Sequence, residues 1–280
     1  MRYKGFKKKV YLSLIGKRLL DNAACMHAVA PAEIDGFREL GYEGKVFVVH
    51  NGIVPEEFTN LSEMNVAEER WPELRGRRVV LFLSRLSPEK GLDQLLPAWV
   101  DITSKASYSD ALLVLAGPDD RGYRAVLEQL IVDKGLGSHV LLTGMVNGRE
   151  KLALMARADI YTLPSYSEGF SNSVLENMAA GTPVLITPGC NFPEVVSANA
   201  GLCVEPRKED IAEALRELLE MSGEQLCGMG ARGRRLVLEN FTWEIAARKL
   251  ITVYDSILKG KEIPLHPQPV LLDPSGRALL

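Results

Sequence analysis

The chain has 280 residues, 46% of them apolar and 25% charged, the usage of an ordinary folded protein with a packed core, which excludes wholesale disorder. Against 36 Asp and Glu stand 33 Lys and Arg, a net charge of −3, which gives no overall electrostatic pull on nucleic acid. Cys25, Cys190, Cys203 and Cys227 are too dispersed for a zinc or redox motif, and no apolar run is long enough to span a bilayer.

The opening MRYKGFKKKVYLSL lacks the apolar core and small-residue cleavage site of a secretory leader. Its Lys4, Lys7, Lys8 and Lys9, beside Phe6 and Tyr11, read as a solvated end that also suits contact with an anionic membrane face. A helix near 13–23, a strand at 26–30, a helix at 32–40 and a strand at 46–49 follow, and two strands make a poor sheet by themselves. Residues 55–77, charged and punctuated by Pro55, Pro72 and Gly76, read as a linker.

From residue 78 onward short apolar runs alternate with amphipathic segments of helix length, the pattern of repeated βαβ units around a parallel sheet. Strands are expected at 79–83, 112–116, 140–142, 160–163, 183–186 and 201–204. They are almost continuously apolar, as strands covered on both faces must be. Helices are expected at 92–102, 123–134, 149–156, 173–180 and 210–221, with a helical tail over 224–258. The fold class is therefore α/β, a Rossmann-like sheet with helices on both faces. Residues 259–280, with four prolines and no period, read as an extended or disordered tail.

The sharpest constellation is Pro164–Leu185, PSYSEGFSNSVLENMAAGTPVL, which runs strand, loop, helix, turn, strand. Glu168 falls at the carboxyl end of a strand, where open α/β sheets place their ligands, and Gly169 allows close backbone approach. The helix beginning near Asn172 offers its positive dipole end to a phosphate, and Glu176, one turn in, suits ribose hydroxyls. Two glutamates at this spacing also occur on ordinary amphipathic helices; the flanking glycines, proline and strand single this pair out. A second segment, LFLSRLSPEKG, puts Arg85 and Lys90 at another strand's carboxyl end. Cations there can neutralise charge developing on a leaving diphosphate. His27, His50, His139 and His266 have no matching acid or cysteine spacing, and no G-x-G-x-x-G follows the early strands, which argues against a triad, a zinc site or a nicotinamide dehydrogenase.

The paired glutamates within SEGFSNSVLENMAAGTPVL resemble the signature of the retaining GT-B glycosyltransferases of family 4, and the resemblance extends over residues 20–258. It implies a GT-B C-terminal donor domain using a nucleotide diphosphate sugar with no metal or other cofactor. Arg85 and Lys90 would clamp the pyrophosphate, Glu168 would hold the donor sugar and Glu176 the ribose. Gly169, Phe170, Ser171 and Asn172 would line the sugar and phosphates. Gly117, in Gly117-Pro118-Asp119, resembles the loop closing below the donor, and Met145 and Val146 the segment whose backbone meets the base. The Pro188–Glu194 segment is expected to be structural, and Phe241-Thr242-Trp243 resembles the start of the family's closing helix. Asn51-Gly52 resembles the turn at which the family leaves its first domain.

Because that turn comes at residue 51, residues 1–54 are expected to be a remnant of an N-terminal acceptor-side domain, ahead of the 55–77 linker and a 78–258 nucleotide-sugar domain. The expected activity is hexosyl transfer with retention to a carbohydrate or lipid-linked acceptor. This chain would be inactive alone unless a partner chain or a second copy completed it; the alternative is a non-catalytic nucleotide-sugar-binding subunit of a split transferase. The expected location is cytoplasmic, including the inner face of the membrane.

Overall fold

The computed structural model describes residues 16–59, 61 and 64–267, so the basic opening segment and the chain beyond 267 lie outside it. In chain order the helices are α1 (Lys17–Asp21), α2 (Glu33–Glu39), α3 (Met64–Arg70), α4 (Leu92–Thr103), α5 (Tyr123–Asp133), α6 (Gly148–Arg157), α7 (Asn172–Ala180), α8 (Glu194–Ser197), α9 (Lys208–Glu220), α10 (Gly223–Asn240) and α11 (Trp243–Leu258). The strands are β1 (Met26–Ala28), β2 (Val46–Val48), β3 (Arg78–Leu83), β4 (Ala111–Ala116), β5 (Val140–Gly144), β6 (Ile160–Leu163), β7 (Val184–Ile186) and β8 (Gly201–Cys203). Two compact units result, one spanning Ile53–Thr242 and the other combining the described residues before residue 53 with those from Trp243 onward. No helix among the described residues is long and apolar enough to cross a membrane.

In the smaller unit β1 and β2 pair in parallel, Met26 with Val46 and Ala28 with Val48. The two-residue period of a strand divides the neighbouring side chains. Val46 and Val48 pack with Ala28 and Tyr42, while Phe47 and Val49 pack with Ala246 and Val253 of α11. A helix thus supplies the second cover that two strands lack. His27 stacks on Phe47 with ring centroids 4.9 Å apart and lies 2.8 Å from the Val49 carbonyl through Nε2, a structural use of the imidazole.

In the larger unit the six strands form one parallel sheet in the order β5-β4-β3-β6-β7-β8. Every residue of β4, β6 and β7 is buried. The chain builds outward from β3 to β5 and then returns to place β6 beside β3. The carboxyl ends of those two strands therefore flank the point where the winding reverses, the crevice in which such sheets bind ligands. Packing of α9 on α4, and of α10 on α7, provides the helical layers.

Two stretches are built differently from the reading of composition and period. The helical tail expected over 224–258 is two helices, the second opening at Trp243, where the resemblance put the start of a closing helix. The backbone between them has other partners, because the Ile53 N–H donates to the Phe241 carbonyl at 2.9 Å, Ile53 bridges Thr242, and the Phe241 ring stacks on Phe170 and meets Phe192 edge-on. Residues 55–77 carry α3 and belong to the larger unit. Arg157, only 8% exposed, draws them in: its guanidinium meets Glu68 of α3 at 2.7 Å and donates to the carbonyls of Leu74 and Arg77, each at 2.7 Å.

Candidate functional site

Four of the loops at the carboxyl edge of the sheet, those after β3, β4, β6 and β7, have backbones bonded to one another. The Leu86 N–H reaches the Pro118 carbonyl at 2.9 Å, the Tyr166 N–H the Glu89 carbonyl at 2.9 Å, and the Glu168 N–H the Gly189 carbonyl at 2.8 Å. Glycines permit this closeness. Gly91 sits at φ 71° and Gly117 at φ 147°, and a Cβ would overlap the carbonyl oxygen of Pro164 at the first and of Ser84 at the second. Gly117→Ala is accordingly expected to destabilise the fold by about 1–3 kcal/mol, the usual cost of overpacking, and a urea unfolding curve checks it.

At the reversal point Lys90, from the loop after β3, donates through Nζ to Glu168 Oε1, from the loop after β6, at 2.6 Å. The two side chains are 7% and 14% exposed. A charge-assisted bond this short, with both partners mostly out of water, is strong only while both remain. Glu176, on α7, is held by Lys151 of α6 at 2.7 Å. Beneath the helix start the buried Tyr161 hydroxyl contacts the Ser173 hydroxyl at 2.7 Å and the Leu83 carbonyl at 3.3 Å. Burial is the main cause that lifts its pKa well above the ordinary tyrosine range, and the charges of Glu168 and Glu176 add to it.

The structure thus brings Lys90 and Glu168 together directly and gives Glu176 a cation other than the expected pair. Arg85 is turned to Asp120, in the loop after β4, at 3.2 Å and is largely exposed. Phe170 buries its ring with Phe192, centroids 5.2 Å apart, so what it can offer a ligand comes from its backbone. Ser171 is the N-cap of α7, and Asn172 opens the helix. Gly117 joins β4 to β5 by donating to the Gly144 carbonyl at 2.8 Å. Met145 lies exposed just past β5, and Val146 is buried.

Sequence reasoning passed over two residues. Asn191, at φ 54°, clamps the acidic loop by donating through Nδ2 to the carbonyls of Glu168 at 2.6 Å and Gly169 at 3.2 Å. Lys151 lines a cavity of about 530 Å³ with Glu57, Phe58, Leu61, Arg149 and Leu152, which adjoins the Glu176 pair. The left-handed turn at Asn191 follows a Pro-Gly pair, a cue that could have marked it; nothing local marks Lys151. The neighbouring Cys190 is fully buried, and burial pushes its thiol up to about 11, so it is inert packing. Among the described residues no group of three or more His, Cys, Asp or Glu is placed to hold a metal ion.

Comparison with known proteins gives the family and the fold. The family model for glycosyl transferases group 1 matches residues 65–235. An uncharacterized glycosyltransferase of Methanocaldococcus jannaschii is 31% identical over 221 residues, covering 76% of this chain and 54% of that protein. The GDP-mannose-dependent alpha-(1-6)-phosphatidylinositol monomannoside mannosyltransferase of Mycobacterium tuberculosis is 36% identical over 183 residues, covering 62% of this chain and 46% of that one. The chain spans about half the length of the curated relatives it matches. Among solved structures, sucrose-phosphate synthase from Thermosynechococcus elongatus superposes with TM-score 0.76 at 25% identity, covering 90% of this chain and 63% of that one. The Anabaena protein HepE, in complex with UDP and glucose, shares the fold with TM-score 0.76 at 21% identity, over 89% of this chain and 67% of that one.

Proposed function

This chain belongs to the glycosyl transferases group 1 family, and on that premise we propose that it is the donor-binding part of a retaining hexosyltransferase of family 4. The observation that carries the reading is the Lys90–Glu168 contact at 2.6 Å, an ammonium and a carboxylate joined at the reversal point of the sheet, where a sugar diphosphate needs one of each. In this reading Lys90 and Arg85 meet the diphosphate, Glu168 the sugar hydroxyls and Glu176 the ribose. The cavity that Lys151 lines leaves room for the nucleoside end, and Met145 and Val146 are assigned to the base. The backbone of Gly169, Phe170, Ser171 and Asn172 lines the sugar and phosphates.

The bond between the anomeric carbon and the phosphate oxygen breaks while an acceptor hydroxyl attacks on the same face. The departing phosphate oxygen takes the hydroxyl proton. Positive side chains aimed at the leaving diphosphate stabilise the charge that develops there, in the role a metal ion fills elsewhere. A carbohydrate or lipid-linked acceptor, and a cytoplasmic site of action that includes the inner face of a membrane, go with this reading. The mannosyltransferase named above supports GDP-mannose as a donor to test, and HepE, also solved in complex with UDP-glucose, supports UDP-glucose.

Calorimetric titration with GDP, UDP and ADP is the test. One nucleotide is expected to bind, and Glu176→Ala and Arg85→Ala are each expected to weaken it about tenfold or more, the loss of a charged hydrogen bond. Tight binding that neither substitution changes would sink the site.

A further inference from the structure

Lys90 is not an unclaimed cation. Its ammonium is already neutralised by Glu168 at 2.6 Å, and among the described residues no other cation lies within salt-bridge distance of that carboxylate. A diphosphate that reaches Lys90 must therefore compete with a carboxylate already in place. Success would leave Glu168, 14% exposed, as an unpaired negative charge close to new phosphate charge, which is the costly state for a buried ion. The loop is not free to carry the carboxylate out to water. Its backbone is fixed on one side by the Glu168 N–H bond to the Gly189 carbonyl and on the other by Asn191 donating to the carbonyls of Glu168 and Gly169. Whatever releases Lys90 has to satisfy Glu168 where it stands, and sugar hydroxyls can do so because each donates a hydrogen bond and a carboxylate accepts several.

We infer that the Lys90–Glu168 pair makes this site select a nucleotide still carrying its sugar over the bare nucleoside diphosphate. The inference rests on the function proposed above and concerns the same site. While the sugar is present its hydroxyls occupy Glu168 and Lys90 turns to the phosphates. Once the sugar has been transferred the carboxylate loses those donors and reclaims Lys90, and the diphosphate loses its buried cation. Product release is then driven by an ion pair that the ligand-free site already holds, and binding strength is reserved for the substrate form.

The experiment is calorimetric titration of the chain with GDP and GDP-mannose, and with UDP and UDP-glucose, in the wild type, Glu168→Gln and Glu176→Gln, with a thermal melt on each protein. The wild type is expected to bind the sugar nucleotide about tenfold or more tighter than the matching diphosphate. Glu168→Gln frees Lys90 and is expected to tighten the bare diphosphate by a similar factor, closing the gap. Glu176→Gln is expected to weaken both members of a pair alike, because the ribose is common to them. A wild type that binds diphosphate as tightly as sugar nucleotide overturns the inference, and that measurement needs no variant to fold. So does a Glu168→Gln protein in which only the sugar nucleotide weakens; Glu168 is then a plain sugar ligand and the donor site stands. If none of the four ligands binds the wild type, or Glu176→Gln changes nothing, the donor-site reading falls and the inference with it.

Discussion

Lys90→Ala is expected to lower the efficiency of sugar transfer by about 10²–10³-fold, the effect of losing one preorganised positive group aimed at charge that develops in the transition state. The side chain is 7% exposed, so water cannot take its place as it can at a surface lysine. The same substitution strands Glu168, and the melting temperature is expected to fall as well. The double variant Lys90→Ala, Glu168→Gln separates the two effects: it removes the stranded charge and restores the melting temperature but not donor binding. Steady-state kinetics with the donor that binds, run with the partner chain or second copy that completes the transferase and read beside the melts, is the check. A single variant that melts early yet transfers at the wild-type rate would show that the ion pair serves the fold alone.

The largest loss of stability is expected at Arg157, well away from the proposed chemistry. Its guanidinium joins Glu68 at 2.7 Å and Asp159 at 3.4 Å and donates to two carbonyls that precede β3. Arg157→Ala takes its donor from two carbonyl oxygens and from two acids that are 30% and 38% exposed, Asp159 keeping the Val79 N–H at 2.7 Å, and each acceptor left unpaired out of water costs about 1–3 kcal/mol. Lysine at this position supplies one point charge in place of the planar fork and is expected to recover only part of that. Urea denaturation of Arg157→Ala and Arg157→Lys decides the matter; a shift below about 1 kcal/mol for alanine, the size of a surface pair, would place the network among the dispensable ones.

The strands were the most legible part of this molecule because they are covered on both faces, so their apolar runs announced them. β3 was expected at 79–83 and spans Arg78–Leu83; β6 was expected at 160–163 and spans Ile160–Leu163. Lys90 and Glu168 were legible as site candidates because each follows such a strand, and the order of βαβ units brings the first strand beside the fourth. What composition and period cannot carry is which side chains meet across separate helices. Glu176 and Lys151 lie on α7 and α6, and their pairing depends on the angle at which those helices pack. Arg85 was expected to share the diphosphate with Lys90, yet its long side chain folds onto Asp120, a local choice open to any flexible arginine. The break at Phe241 was marked by the resemblance, which starts a closing helix there, and not by composition or period. The approach of Ile53 and of the Phe170 and Phe192 rings engages the backbone and ring at that break.

The hydrogen bonds that tie the loops after β3, β4, β6 and β7 into one rim have a further consequence for how donor preference can change. A backbone shared by four strands tolerates little local remodelling, since moving one loop unseats its neighbours. Variation has to come from side chains that stand clear of it, such as Met145, 65% exposed. A library restricted to such protruding positions should yield altered nucleotide choice in stable proteins, whereas insertions within the rim should yield mainly misfolded ones.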